Sequence, residues 1–172
     1  MKELEEYLNS KIGLTNNKNL EALHRFFTVD QLKNLMDKTI AIVGTNGKTS
    51  TANFIYDLLG KEKKQVLMFT SPHLVSFQER IQSQSDINFG YISSLVYDFE
   101  IDNNITLGYF ETLFLIAAKA FLDNEMDYFI CEAGIGGVLD TTSVIQSKNV
   151  VITNIGRDHQ ALLGYTDLEV LD

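Results

Sequence analysis

Several short stretches of this chain hold residue types whose spacing can do chemistry. The first is Gly44-Thr45-Asn46-Gly47-Lys48-Thr49-Ser50. Glycines let the backbone turn so that its N–H groups face a phosphate, and a helix opening there adds partial positive charge. Lys48 would reach the outer phosphates, and a hydroxyl after it, from Thr49 or Ser50, would face a magnesium ion. The general phosphate-loop pattern has a further glycine five residues before Gly47; Ile42 stands there, so the loop is a variant. A second stretch is Phe69-Thr70-Ser71-Pro72-His73-Leu74, followed by Phe77-Gln78-Glu79-Arg80-Ile81; read locally, Ser71-Pro72 ends a strand. A third, Cys131-Glu132-Ala133-Gly134-Ile135-Gly136-Gly137 and then Leu139-Asp140-Thr141-Thr142, sets a carboxylate at the end of a strand. Ligands bind at that end of a parallel sheet, and Glu132 offers the hard oxygen that magnesium prefers. The fourth, Asn154-Ile155-Gly156-Arg157-Asp158-His159-Gln160, puts His159 just beyond another strand. In a fifth, Thr106-Leu107-Gly108-Tyr109-Phe110-Glu111-Thr112, Phe110 also reads as the opening of a helix's core face.

These stretches need elements to place them. Residues 1–38 read as helical: Leu4, Tyr7 and Leu8 share one face, Leu20, Leu23 and Phe27 another, and Thr28-Val29-Asp30-Gln31 has the form of a capping box before Leu32, Leu35 and Met36. Residues 13–19 read as a turn. The apolar, β-branched run 39–43 is a buried strand. A helix over 49–59 carries Phe54, Ile55, Leu58 and Leu59, with Gly60 as its left-handed stop. A strand over 65–69 completes a β-loop-α-β unit, implying parallel strands and a right-handed crossover. Residues 71–81 are irregular, 91–100 and 110–121 helical, and 128–131 and 150–153 strands. Such alternation predicts an α/β fold, a doubly wound, mostly parallel sheet with helices on both faces. We expect an amino-terminal helical segment over 1–38 and a phosphate-loop domain over 39–172. The capping box Thr166-Asp167-Leu168-Glu169 announces a helix that three further residues cannot sustain, which reads as a truncated chain.

At 172 residues and 45% hydrophobic, the chain suits one domain with a real core. Its net charge of −9 disfavours nucleic acid. The single cysteine, Cys131, rules out an intrachain disulfide and reads as core. With no signal-peptide run at the start and no apolar stretch of spanning length, a cytoplasmic protein away from the membrane is expected.

Residues 44–50 resemble the nucleotide loop of the Mur ligase superfamily, which joins amino acids to carboxylates through acyl phosphates. Folate-adding members usually carry Gly where Thr49 stands and peptidoglycan members Ser or Thr, so this position alone leans away from folate. Residues 69–81 resemble the folylpolyglutamate synthase signature, whose serine, matching Ser71, is a metal ligand on the loop that enters the folate-binding region. Residues 132–142 resemble that family's glutamate–glycine segment, with Ser143 in place of the usual Asn and Thr141 in place of a small residue. Residues 158–160 match its Asp-His-Gln motif, whose His binds a second magnesium, while Arg157 replaces a commonly apolar residue. An aromatic near Phe110 stacks the pterin there.

The resemblance implies a Mur-ligase central domain, truncated, in an ATP-dependent acid–amino-acid ligase of folate metabolism. ATP would sit on residues 44–50, and Mg2+ would be shared by Thr49 or Ser50, Ser71, Glu132 and His159. Lys48, Glu132 and His159 would be catalytic, and Pro72, His73, Phe110 and Asp140 would meet the substrates, dihydropteroate or folate and L-glutamate. A monomer is implied. Dihydrofolate synthase and folylpolyglutamate synthase activities stay open. The family's carbamylated lysine and carboxy-terminal domain are expected beyond residue 172, so these residues alone should show little ligase activity. A peptidoglycan Mur-type ligase and a nucleotide-binding fragment without ligase chemistry are the alternatives.

Overall fold

The computed structural model describes residues 2–14, 20–137 and 140–156. Helices α1 (Lys2–Asn9), α2 (Leu20–His24) and α3 (Val29–Lys38) come first. The capping box forms as the sequence predicts: the Thr28 hydroxyl accepts from the Gln31 N–H at 3.2 Å, and the Gln31 amide oxygen accepts from the Thr28 N–H at 2.9 Å. Strand β1 (Thr39–Val43) feeds through the glycine loop into α4 (Lys48–Lys61), then β2 (Val66–Phe69). A 3-10 turn (Phe77–Arg80) leads into β3 (Ile81–Ser83). Next come α5 (Phe89–Asn103), α6 (Tyr109–Asp123), β4 (Tyr128–Glu132), a second 3-10 turn (Thr141–Ile145) and β5 (Asn149–Ile152).

The five strands form one sheet in the order β3-β2-β4-β1-β5. All pairings are parallel except β2 with β3. Inside the sheet, side chains alternate between two buried faces. Ile42, Val66, Met68 and Ile130 pack with Ala52, Ile55 and Leu59 of α4. On the other face Leu67, Phe69, Phe129 and Cys131 join a much larger core with Phe114, Phe121 and Leu113 of α6, and α1, α3 and α5 close over it. Full burial of a ring such as Phe114 stabilises by roughly 1.5–3 kcal/mol.

Three features depart from the sequence reading. Gly60 lies inside α4 and does not end it; the left-handed residue is Lys63, past the helix. Gly60 instead stands where a Cβ would come within 3.4 Å of the Gln84 amide. The segment read as irregular ends on Ile81, which opens β3, a three-residue strand that the sequence reading does not contain, held by the register Phe69↔Ile81. Of the four apolar residues that the helical spacing singled out on α4, Ile55 and Leu59 meet the sheet, while Phe54 and Leu58 are 70% and 61% exposed.

One polar cluster crosses the larger core. Lys11 is buried, and its Nζ donates to both oxygens of buried Glu100 at 2.5 and 2.7 Å. The Tyr7 hydroxyl donates to the same carboxylate at 2.5 Å, as does the Leu107 N–H at 2.6 Å. Among the described residues no helix is long and apolar enough to cross a membrane.

Candidate active site

Strand β4 lies between β1 and β2, and all three run parallel. Their carboxyl ends are therefore neighbours, and Glu132 closes the central one. Its side chain is 2% exposed. From the β1 side, the Thr49 hydroxyl, in the first turn of α4, donates to Glu132 at 2.9 Å to Oε1 and 3.0 Å to Oε2. From the β2 side, the Ser71 N–H donates to Oε2 at 3.3 Å. Burial pushes the Glu132 carboxyl above its ordinary range, while the bonds from Thr49 and Ser71 and the charges of Lys48 and Arg80 pull the other way. No cationic side chain among the described residues contacts it.

The glycine loop is held by the segment that leaves β5. The Thr45 N–H donates to the Asn154 carbonyl at 3.0 Å and the Asn46 N–H to the Asn154 side-chain oxygen at 2.8 Å. The Thr45 hydroxyl exchanges bonds with Gly156, donating to its carbonyl at 3.0 Å and accepting from its N–H at 2.9 Å. Thr153 donates to the Asn46 carbonyl at 2.7 Å. Two of the N–H groups expected to face phosphate are thus engaged within the chain. The N–H groups that could still face an anion are those in the opening turn of α4, from left-handed Gly47 onward, where N–H groups lack helical partners. Lys48 Nζ folds over the loop, donating to the carbonyls of Gly44 at 2.8 Å and Thr45 at 3.2 Å. Ser50 is exposed beside Thr49; only Thr49 of the two touches Glu132.

Beyond β2, Glu79 gathers the backbone N–H groups of Leu74, Val75 and Ser76, each at 2.8 Å. Those bonds hold its carboxyl below the usual carboxylate range. The loop so folded places Pro72 in the open and His73 half-buried. Arg80 Nε donates to His73 Nδ1 at 2.7 Å, and its guanidinium lies 5.2 Å from the centre of the Tyr109 ring.

Phe110 is partly buried against Phe69, with ring centres 5.4 Å apart. It also lies over the turn after β4: a Cβ on Gly134 would stand 3.2 Å from the Phe110 ring and from the Asp140 carboxylate, so a larger residue would push one of them back by a few tenths of an ångström. Asp140 is buried, and its oxygens accept from the N–H groups of Gly134, Ile135 and Thr142 and from the Thr142 hydroxyl. It pins the glycine turn in place. His159 lies outside the described residues, as do Arg157, Asp158 and residues 166–169. Among the described residues no group of three or more His, Cys, Asp or Glu side chains gathers to hold a metal. Reasoning from the sequence left Arg80, Tyr109 and Asn154 without a role. Arg80 stood inside a quoted motif, but only its contacts single it out.

The dihydrofolate synthase/folylpolyglutamate synthase of Buchnera aphidicola subsp. Schizaphis graminum is 40% identical over 139 residues, 77% of this chain and 32% of that protein. The structure of E. coli FolC in complex with DHPP and ADP superposes with a TM-score of 0.84 at 26% identity, covering 98% of this chain and 41% of that one. A bifunctional folylpolyglutamate synthase/dihydrofolate synthase with Mn, AMPPNP and L-glutamate bound gives a TM-score of 0.82 at 28% identity, covering 97% of this chain and 42% of that one. The chain thus spans about a third of the length of the first of these relatives. The family model of the Mur ligase middle domain matches residues 42–167, most of the chain, and the chain belongs to that family.

Proposed function

We propose that this chain is the nucleotide- and metal-binding part of an ATP-dependent ligase that joins L-glutamate to dihydropteroate or to a folate. One observation carries the reading: the Thr49 hydroxyl and the Ser71 N–H, from loops after two different strands, converge on the buried Glu132 carboxylate between them. The names of the similar enzymes, and the ADP, AMPPNP and L-glutamate in their structures, support this substrate set. The buried, unpaired Cys131 suits a cytoplasmic enzyme, and the acidic chain suits one that acts on small molecules in place of nucleic acid; a monomer is part of this proposal.

The donor set fits Mg2+: a buried carboxylate without a contacting cation, flanked by Thr49 and Ser71, with His159 as a further candidate ligand. When bound there, the ion would supply charge neutralisation at phosphate oxygens. Everything else falls to the protein. The opening N–H groups of α4 would seat the phosphates, and Lys48 would exchange its two carbonyl partners for phosphate oxygens. Asp140 holds the Gly134 turn, and with it Phe110, at the edge where a flat ring would lie. A substrate carboxylate would take the terminal phosphoryl group, ADP would leave, and the amine of glutamate would displace phosphate from the acyl phosphate.

Equilibrium titration with ATP tests this reading. The chain is expected to bind ATP about tenfold or more tightly with Mg2+ than with chelator, a difference of roughly 1.4 kcal/mol. Glu132→Gln should bring the two affinities together. The same substitution should raise Tm at neutral pH. A carboxyl whose folded pKa is raised stabilises the fold fully below its unfolded value of 4.5 and loses that contribution as pH rises through the folded value. At neutral pH its charge is therefore a cost that glutamine removes. Equal ATP affinity with and without the metal in the unaltered chain refutes the reading.

A further inference from the structure

Arg80 is a half-buried cation with no carboxylate in contact among the described residues. Its backbone is fixed, since the carbonyl accepts from the Thr70 N–H at 2.9 Å in the β2–β3 pairing, next to Ser71. Nε is spent on His73 Nδ1 at 2.7 Å. An arginine only donates, so Nδ1 is the acceptor and His73 carries its proton on Nε2. The guanidinium stacks over Tyr109, whose ring lies 6.1 Å from that of His73. Among the described residues no carboxylate pairs with the Nη groups. Burial lowers the basicity of the group, and the neighbouring Tyr109 and Glu132 act to restore it.

The strand order gives this cation its meaning. Glu132 ends the central strand, with Lys48 and the opening of α4 on the β1 side and Arg80 on the β2 side. Phosphates are provided for on the first side. A second cation across the carboxylate, braced by His73 and Tyr109 and keeping its two-pronged face unpaired, matches a different planar anion. We propose that Arg80 binds the acceptor's carboxylate, the group to be phosphorylated, and that His73 and Tyr109 are positioning residues that hold its guanidinium in place. The inference rests on the ligase reading above and adds the residue that recognises the acceptor acid.

The test pairs a change in the protein with one in the ligand. Pteroate and its carboxamide, which lacks the negative charge, are titrated into the chain in the presence of MgADP. The unaltered protein should prefer pteroate by about tenfold, a typical return for a charge-assisted bond. Arg80→Ala should reduce that preference to about twofold or less, and Arg80→Lys, a point charge without the fork, should fall between. MgADP affinity should be unchanged in both variants, which also shows that they fold. If Arg80→Ala weakens pteroate and carboxamide equally, or weakens MgADP instead, Arg80 is structural or reads phosphate, and the inference is overturned. Failure of the unaltered chain to bind pteroate while it still binds MgADP overturns it too, and leaves the nucleotide site standing. Failure of metal-dependent ATP binding by the unaltered chain brings down the ligase reading itself.

Discussion

Two loops meet at Glu132, and they are held by opposite means. The loop at 44–50 depends on distant sequence: its bonds to Asn154 and Gly156 join residues more than a hundred positions apart. The loop at 70–80 is closed mainly from within, by Glu79 on the N–H groups of Leu74, Val75 and Ser76 and by Arg80 on His73. The first is therefore only as ordered as the end of β5 that grips it. The second carries its own frame and owes the sheet its β2–β3 root and one bond, from the Ser71 N–H to Glu132. Changes to the first should reach the whole fold or couple to β5, whereas changes to the second should stay local.

The strongest way to break this contrast is Gly44→Ala. Gly44 has φ +134°, and a Cβ there would stand 2.3 Å from the Thr153 hydroxyl and 2.7 Å from the Asn154 carbonyl. The loop cannot accept a methyl without leaving β5, and we expect a loss of about 3 kcal/mol in urea unfolding. A loss below about 1 kcal/mol would mean the grip yields easily. Asn154→Ala removes one side-chain acceptor from the Asn46 N–H and should cost on the order of 1 kcal/mol. Hydrogen exchange should quicken at Asn46 while Leu74 to Ser76 keep their protection; parallel change in both loops would show them to be one unit. Smallest of all should be Glu79→Gln, which leaves Tm nearly unchanged but exposes the three amides. In the unaltered chain Glu79 has a depressed carboxyl, so its hold is present above its unfolded value of 4.5 and lost as pH falls through the lower folded one. The NMR shifts of the Leu74 to Ser76 amides should move only below pH 4.5, and a midpoint at or above it would contradict the clamp.

The same contrast explains what could be read from sequence. Strand β1 and the capping box at Thr28 were legible because local periodicity and short-range side-chain bonds encode them. The loop between β1 and α4 and the place of Glu132 at a strand end were legible because glycines before a helix and a carboxylate after an apolar run are recognisable residue types. Strand β3 was not, since three residues give no usable period and its identity comes from pairing with Phe69. Gly60 misled because a glycine late in a helix usually marks its stop, whereas here the left-handed turn falls on Lys63. The Asn154 grip and the Arg80–His73 pair were hidden for a common reason. Each is a side chain choosing its partner in three dimensions, and no spacing rule names the partner.

The Lys11–Glu100 pair has a consequence for anyone who edits this protein. The amino-terminal helices are not a detachable handle. A version trimmed or swapped ahead of residue 12 would strand the Glu100 carboxylate in an oily interior, where it also serves the Leu107 N–H. The damage would surface far from the cut, in the bend between α5 and α6 that leads to Tyr109 and Phe110.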